Sequence, residues 1–301
     1  MKKIALSAFA LLLMAATSLT AQEKKYYTPQ KGDWSIGVVF NPVSMSSIKA
    51  QPSSGDKVGN WAKGHAFNGD QMFMLSQDPV AAVRVKYRLD KNAAFRASLG
   101  FNGSLINYKE YVQDDLAVAL DADSQNKVVD VVHSNMNTAS LMLGYEYMVG
   151  EKAVRFIFGG DILYSIGGGR LTFDYGNRMT SLNQIPSTMP IPGEMKDKSG
   201  KRGIAYGRPT DKYTAGYIHA LGFSLEMGIE VFIAERISAG LSMNFTPLAV
   251  TFQPETYTVY EGFSTYTGQV EKYTNYVSPG SNALLYGIEN FGARLSLNYY
   301  F

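Results

Sequence analysis

Arg84, Lys86 and Arg88 occupy every second position of a stretch whose other positions, Ala81, Val83, Val85, Tyr87 and Leu89, are apolar. A period of two is a β-strand with two unlike faces. The cations must face water or a polar interior, because each would cost ~2–4 kcal/mol near the middle of a bilayer. The same division recurs along the chain. Trp34, Ile36, Val38 and Phe40 alternate with Ser35, Gly37, Val39 and Asn41 before Pro42. Phe95, Ala97, Leu99 and Phe101 oppose Arg96 and Ser98, and Leu141, Leu143, Tyr145 and Tyr147 oppose Glu146. Phe156, Phe158 and Ile162 oppose Arg155 and Asp161, and Leu221, Phe223, Leu225 and Met227 oppose Glu226 and Glu230. Ile237, Ala239, Leu241, Met243 and Phe245 alternate with Ser238, Gly240, Ser242 and Asn244. The last stretch, 291–301, places Leu297, Tyr299 and the terminal Phe301 on one face and Arg294, Asn298 and Tyr300 on the other.

These are eight strands, and their connections alternate in length. Residues 90–92, 150–153 and 234–236 are tight turns. Residues 43–78, 107–136, 167–214 and a Tyr- and Thr-rich stretch before 291 read as long loops. The second of these is acidic at Glu110, Asp114, Asp115, Asp121, Asp123 and Asp130, with a helical turn at 116–120; the third carries a basic knot at 196–202. A three-residue turn pairs Leu89 with Ala93 and keeps the apolar faces together, so register and pattern agree. A secreted sandwich also alternates, but it gives no reason for nearly every strand charge to avoid the apolar face. The pattern predicts an all-β fold: an eight-stranded antiparallel up-and-down transmembrane barrel with long loops outside and short turns on the periplasmic side.

The amino terminus fits export. Lys2 and Lys3 precede an apolar run at 4–16 and small residues at 17–21, which predicts a signal peptide over 1–21 cut before Gln22. A periplasmic tail is then expected over 22–31 and the barrel domain over 32–301. The cut site has no Cys, so no lipid anchor is expected, and the 301-residue chain has no Cys at all. Loss of Lys2 and Lys3 takes the formal charge of +2 to about zero, which leaves no basic excess for nucleic acid.

A closing strand of alternating apolar residues that ends on Phe301, with Tyr299 and Leu297 on its outward face, resembles the assembly signal of bacterial outer-membrane β-barrel proteins. Over 32–301 the chain resembles the small OmpX-type and OmpA-transmembrane-type barrels of Gram-negative bacteria, and the Ala21-Gln22 junction and Tyr-rich loops resemble those of Bacteroidota. The resemblance implies residence in the cell outer membrane, contact with its lipids and lipopolysaccharide, and handling by the barrel-assembly machinery.

Eight strands leave an interior that side chains fill. Arg84, Lys86, Arg88, Arg96, Glu146, Arg155, Asp161, Glu226, Glu230 and Arg294 are therefore expected to form a paired charge network that plugs the lumen, since buried charges must be paired. General porin-like diffusion is not expected at this strand number. The loops are the candidates for recognition. Tyr257, Tyr260, Tyr266, Tyr273 and Tyr276 would offer large contact area at low entropic cost to a partner protein, glycan or outer-leaflet sugar. The leading functional expectation is a structural or surface-interaction role, including that of an accessory subunit of an outer-membrane complex. A narrow channel for small solutes is the second reading. A lipid A-modifying enzyme is the third, and here the sequence argues against catalysis. His65 and His133 fall in expected loops, and His219 lies across the sheet from Ser224 and Glu226. No metal-ligand spacing, nucleotide loop or cofactor pattern is present, and the acids of the second loop match no calcium-loop spacing.

Overall fold

The computed structural model describes residues 27–40, 81–150, 153–191, 203–287 and 291–301. Its strands are β1 (Trp34–Phe40), β2 (Ala81–Arg88), β3 (Ala93–Gln113), β4 (Lys127–Val149), β5 (Val154–Asp174), β6 (Ile204–Thr214), β7 (Ile218–Phe232), β8 (Ile237–Gln253), β9 (Thr256–Ser264), β10 (Gln269–Ser278), β11 (Ser281–Tyr286) and β12 (Phe291–Tyr300). One short helix, α1 (Asp115–Leu120), joins β3 to β4.

Antiparallel pairing runs β1–β2–β3–β4–β5–β7–β8–β12 and returns from β12 to β1. This is a closed eight-stranded barrel, so no strand edge is left open around it. The register follows the two-faced pattern. Burial alternates strictly in β1, and Ser35 and Val39 face inward while Trp34, Ile36, Val38 and Phe40 stay exposed. Leu99, Leu143, Phe158, Leu225, Met243 and Leu297 continue the exposed apolar belt around the barrel. Trp34, Tyr87, Tyr145, Tyr147, Tyr299 and Phe301 rim it at the short-turn end. The closing strand behaves as its sequence requires: Ile36 pairs with Tyr299, Val38 with Leu297, and Phe301 exchanges backbone hydrogen bonds with Trp34. At the first short turn the Asp90 carboxylate accepts from the Asn92 and Ala93 amides, and Leu89 N donates to Ala93 O at 2.9 Å.

The remaining four strand segments are continuations of barrel strands. β5 pairs with β7 as far as Gly167 opposite Ile218, then with β6 from Arg170 opposite Tyr213. β6 and β7 are thus one descending strand broken at residues 215–217. β8 and β9 are one ascending strand broken at Pro254 and Glu255, and β10, β11 and β12 all descend, β10 pairing with β9 and β11 and β12 pairing with β8. The breaks fall at one level, because Thr214 pairs with Thr256, Ser278 pairs with Thr256, and Ser281 pairs with Gln253. On β5 the same level is Gly167-Gly168-Gly169. Pro254 and Pro279 cannot donate to a ladder. Gly216 and Gly280 sit at φ 121° and 80°, where a side chain would be strained. A crease therefore crosses four adjacent strands, and beyond it β6, β9 and β10 form a three-stranded paddle continuing the sheet from β5.

Three expectations change. The long loop expected over 107–136 is mostly strand, with β3 and β4 pairing from Ala93–Tyr147 to Gln113–Lys127. The long loop expected over 167–214 begins and ends as β5 and β6. The tail expected over 22–31 is, from Tyr27 onward, part of the barrel's closure. Tyr27 N donates to Glu235 O at 3.1 Å, its ring lies 5.4 Å from Tyr300 and 6.2 Å from Phe232, and Pro29 is buried. The expected signal peptide, the 43–78 loop, the 196–202 knot and His65 lie outside the described residues.

Candidate functional site

Inward alternation brings the expected lumen residues together. Glu226 of β7 is the hub. It accepts two hydrogen bonds from Arg84, at 3.3 and 3.2 Å, and lies 3.0 Å from Arg96 Nη2 and 3.1 Å from Arg294 Nη1. Ser242 Oγ donates to it at 2.5 Å. Asp161 of β5 takes Arg96 in a bidentate contact at 2.8 and 2.6 Å. Glu146 of β4 meets Lys86 at 3.0 Å, Arg96 at 3.3 Å and Arg88 at 3.7 Å. Glu230 of β7 accepts from Lys86 at 3.1 Å, Tyr300 at 2.6 Å, Asn298 at 3.2 Å and also from Ser238. These side chains are almost wholly removed from solvent. Shared bidentate partners are what make so many charges tolerable in one small interior.

Small residues make the room. A Cβ at Gly159 would lie 2.5 Å from Arg96 Nη2, and one at Gly144 would overlap the Asp161 carboxylate. Apolar and aromatic side chains lie at either end of the charged layers. Toward the crease lies an apolar cluster of Met142, Leu163, Ile218, Ala220 and Ala249. Toward the short turns, Phe232, Tyr300 and Met148 are fully buried and Tyr27 caps them. Alternation gave the inward position of Tyr300, but not its membership in the network. Its hydroxyl joins Arg88 to Glu230, and a polar handle on an inward aromatic was the signal available. Arg155 departs from expectation: it forms no ion pair among the described residues, and its contacts are Tyr27 O, the Met148 sulfur and the Phe232 ring.

Beyond the crease a second core forms. Val132, Leu171, Phe173 and Met189 are buried together, with Tyr108, Val112, Tyr175 and Ile191 packed around them. The acids of the β3–β4 hairpin bind backbone there. Asp114 caps α1 through the Leu116 and Ala117 amides. Asp115 accepts from Asn183 Nδ2 at 2.6 Å and Ser187 N at 2.8 Å. Against the upward push of burial, these hydrogen bonds hold its carboxyl below the usual range. Asp130 accepts from Gly176 N at 2.9 Å and Met189 N at 2.8 Å, yet burial outweighs both bonds and pushes its carboxyl up. The segment 175–191 is thereby clamped onto the hairpin.

The tyrosines divide by face. Tyr213, Tyr257 and Tyr276 pair across β6, β9 and β10 on one face of the paddle, with ring centroids 5.7 and 5.1 Å apart. Arg170 stands opposite Tyr213 and Asn135 opposite Arg170, extending the row. On the other face Tyr260 stacks on Tyr273 at 5.6 Å and is only 2% exposed. Tyr260 is thus a packing residue rather than a recognition residue, because its position in β9 points away from the exposed face. Tyr266 and Tyr276 are strongly exposed. A groove of ≈ 680 Å³ runs along the crease, lined in part by Asn137, Arg170, Asp211, Tyr213, Tyr217 and Val259. Arg170 and Asp211 form an ion pair on its wall at 2.5 Å.

His133 and His219 lie away from the lumen. His133 is on β4 rather than in a loop, with Nδ1 2.8 Å from Asn107 Oδ1 and Nε2 3.0 Å from Asp174 Oδ2. His219 Nδ1 lies 2.8 Å from the Tyr164 hydroxyl on the outward face, whereas Ser224 and Glu226 are buried in the lumen.

No family model matches the chain, and no curated protein matches it. Among solved structures, it is similar to the outer membrane protein OprG from Pseudomonas aeruginosa. The two are 11% identical, with 93% of this chain and 99% of that chain covered and a TM-score of 0.33.

Proposed function

We propose that this chain is an outer-membrane β-barrel whose lumen is a closed structural core and whose function is exercised by its long-hairpin surface. The observation that carries this reading is the layered filling of the lumen, with paired charges between an apolar layer and an aromatic layer. The exposed apolar belt is far larger than a soluble monomer leaves to water, and it suits lipid. With the short turns on the periplasmic side, the paddle, the crease groove and the second core stand outside the cell. An ordered sheet with an aromatic row suits contact with a partner protein or with the sugars of lipopolysaccharide, and the role of accessory subunit in an outer-membrane complex belongs to the same reading.

Photo-cross-linking in the native outer membrane tests it. A photoreactive residue at Tyr276 or Tyr266 should give a discrete adduct, and one at Lys91 in the short turn should not. Adducts absent from both tyrosine positions, or equal at all three, would refute a surface role for the paddle.

A further inference from the structure

We propose that Arg88 and Arg155 form a binding site for a small inorganic anion of the size of chloride at the short-turn end of the lumen. The charges of the interior do not balance. Arg84, Lys86, Arg88, Arg96, Arg155 and Arg294 are all at most 5% exposed, and the buried acids beside them among the described residues are Glu146, Asp161, Glu226 and Glu230. The shortfall is local. Arg84, Lys86, Arg96 and Arg294 each reach a carboxylate at 3.2 Å or less. Arg88 has Glu146 at 3.7 Å, and Arg155 has no acidic partner among the described residues.

The two surplus cations are neighbours. Arg88 Nη2 and Arg155 Nη1 flank the same sulfur, that of Met148, at 3.5 and 3.6 Å. Arg88 Nε, Arg88 Nη1 and Arg155 Nε are buried without a hydrogen-bond partner among the described residues. Two buried guanidinium groups side by side, with donors unsatisfied, are costly in both charge and hydrogen bonding. One anion held by charge-assisted N–H donors removes both penalties. The walls set its size. Tyr300 and Phe232 lie under the Arg88 and Arg155 guanidinium groups at 5.7 and 5.1 Å, and Tyr27 closes over both rings. Such surroundings, with aromatic rings packed round the buried donors, suit a small anion such as a halide or nitrate.

The test uses the full chain folded in detergent. At constant ionic strength, replacing sodium gluconate by sodium chloride should raise the unfolding midpoint of the wild type along a saturable curve, as a ligand bound only to the folded state must. Arg155→Met should lose that response and Lys91→Met should keep it. Equal midpoints in the two salts for the wild type, or an undiminished chloride response in Arg155→Met, would overturn the site. Crystals of the wild type grown in bromide decide independently of whether the variant folds. An anomalous peak between Arg88 and Arg155 supports the site, and bromide found only elsewhere overturns it.

Discussion

The two ends of the molecule are built from the same strands but are held together by opposite means. Below the crease, inward positions carry charge, and the barrel is organised by side-chain ion pairs centred on Glu226 and Glu230. Beyond it, inward positions carry Val132, Leu171, Phe173 and Met189, and the charges that remain bind backbone amides or the paddle's own strands. On the function proposed above, the difference follows from what lies outside the wall. A belt facing lipid must be apolar on its outer face, so polarity is driven into the lumen. A sheet facing water is free to be apolar within and polar without. The crease of Gly167–169, Gly216, Pro254, Pro279 and Gly280 marks where one rule gives way to the other.

The largest effect should come from the hub. Glu226→Leu leaves Arg84, Arg96 and Arg294 short of a partner in the buried interior, and removal of one partner from a buried ion pair costs ~3–5 kcal/mol. Urea unfolding of the detergent-folded protein, followed by heat-modifiable gel mobility, should show a large loss of stability. Arg294→Leu comes next and should cost more than Asn298→Leu, because Arg294 brings a full positive charge to the Glu226 carboxylate whereas Asn298 is an uncharged donor to Glu230. Equal midpoints for these two variants would deny the charge network its priority. Beyond the crease the effects should be local. Asp130→Ala strips acceptors from Gly176 and Met189, a loss of ~1–3 kcal/mol for the buried Met189 amide left unpaired. It should expose residues 175–191 to protease while leaving barrel unfolding unchanged. A matching shift in the barrel midpoint would show that the crease does not separate the two regions. Smallest is Tyr276→Ala on the exposed paddle face, which should leave both measures within about 0.5 kcal/mol of wild type.

The same boundary explains what was legible in the sequence. The eight lower strands were readable because an apolar outer face and a charged interior force alternation at every residue from Ala81 to Arg88 or from Phe223 to Glu230. The lumen charges followed from parity alone. Above the crease that constraint ends. Asn135, Asn137 and Thr138 on β4, and Gly167 to Gly169 on β5, carry no two-faced signal although they pair in register. Pro209 stands at a bulge and Pro254 and Pro279 at the crease, places where a missing backbone donor is tolerated and the two-faced pattern lapses. Tyr27 was unreadable for another reason. Nothing in a polar leader segment shows that its aromatic ring closes a lumen formed by strands far along the chain. Of the five tyrosines taken together as a recognition surface, the four on β9 and β10 were divided by β-strand parity, which the hairpin register fixes and composition does not, while Tyr266 lies in the turn between the two strands.

The claim that the lumen is a closed core is tested most directly by planar-bilayer recording from the purified wild-type protein. The layered interior predicts a silent bilayer under voltage. Defined conductance steps that change on substitution of Arg84 or Glu226 would contradict it and make the interior a path for solutes.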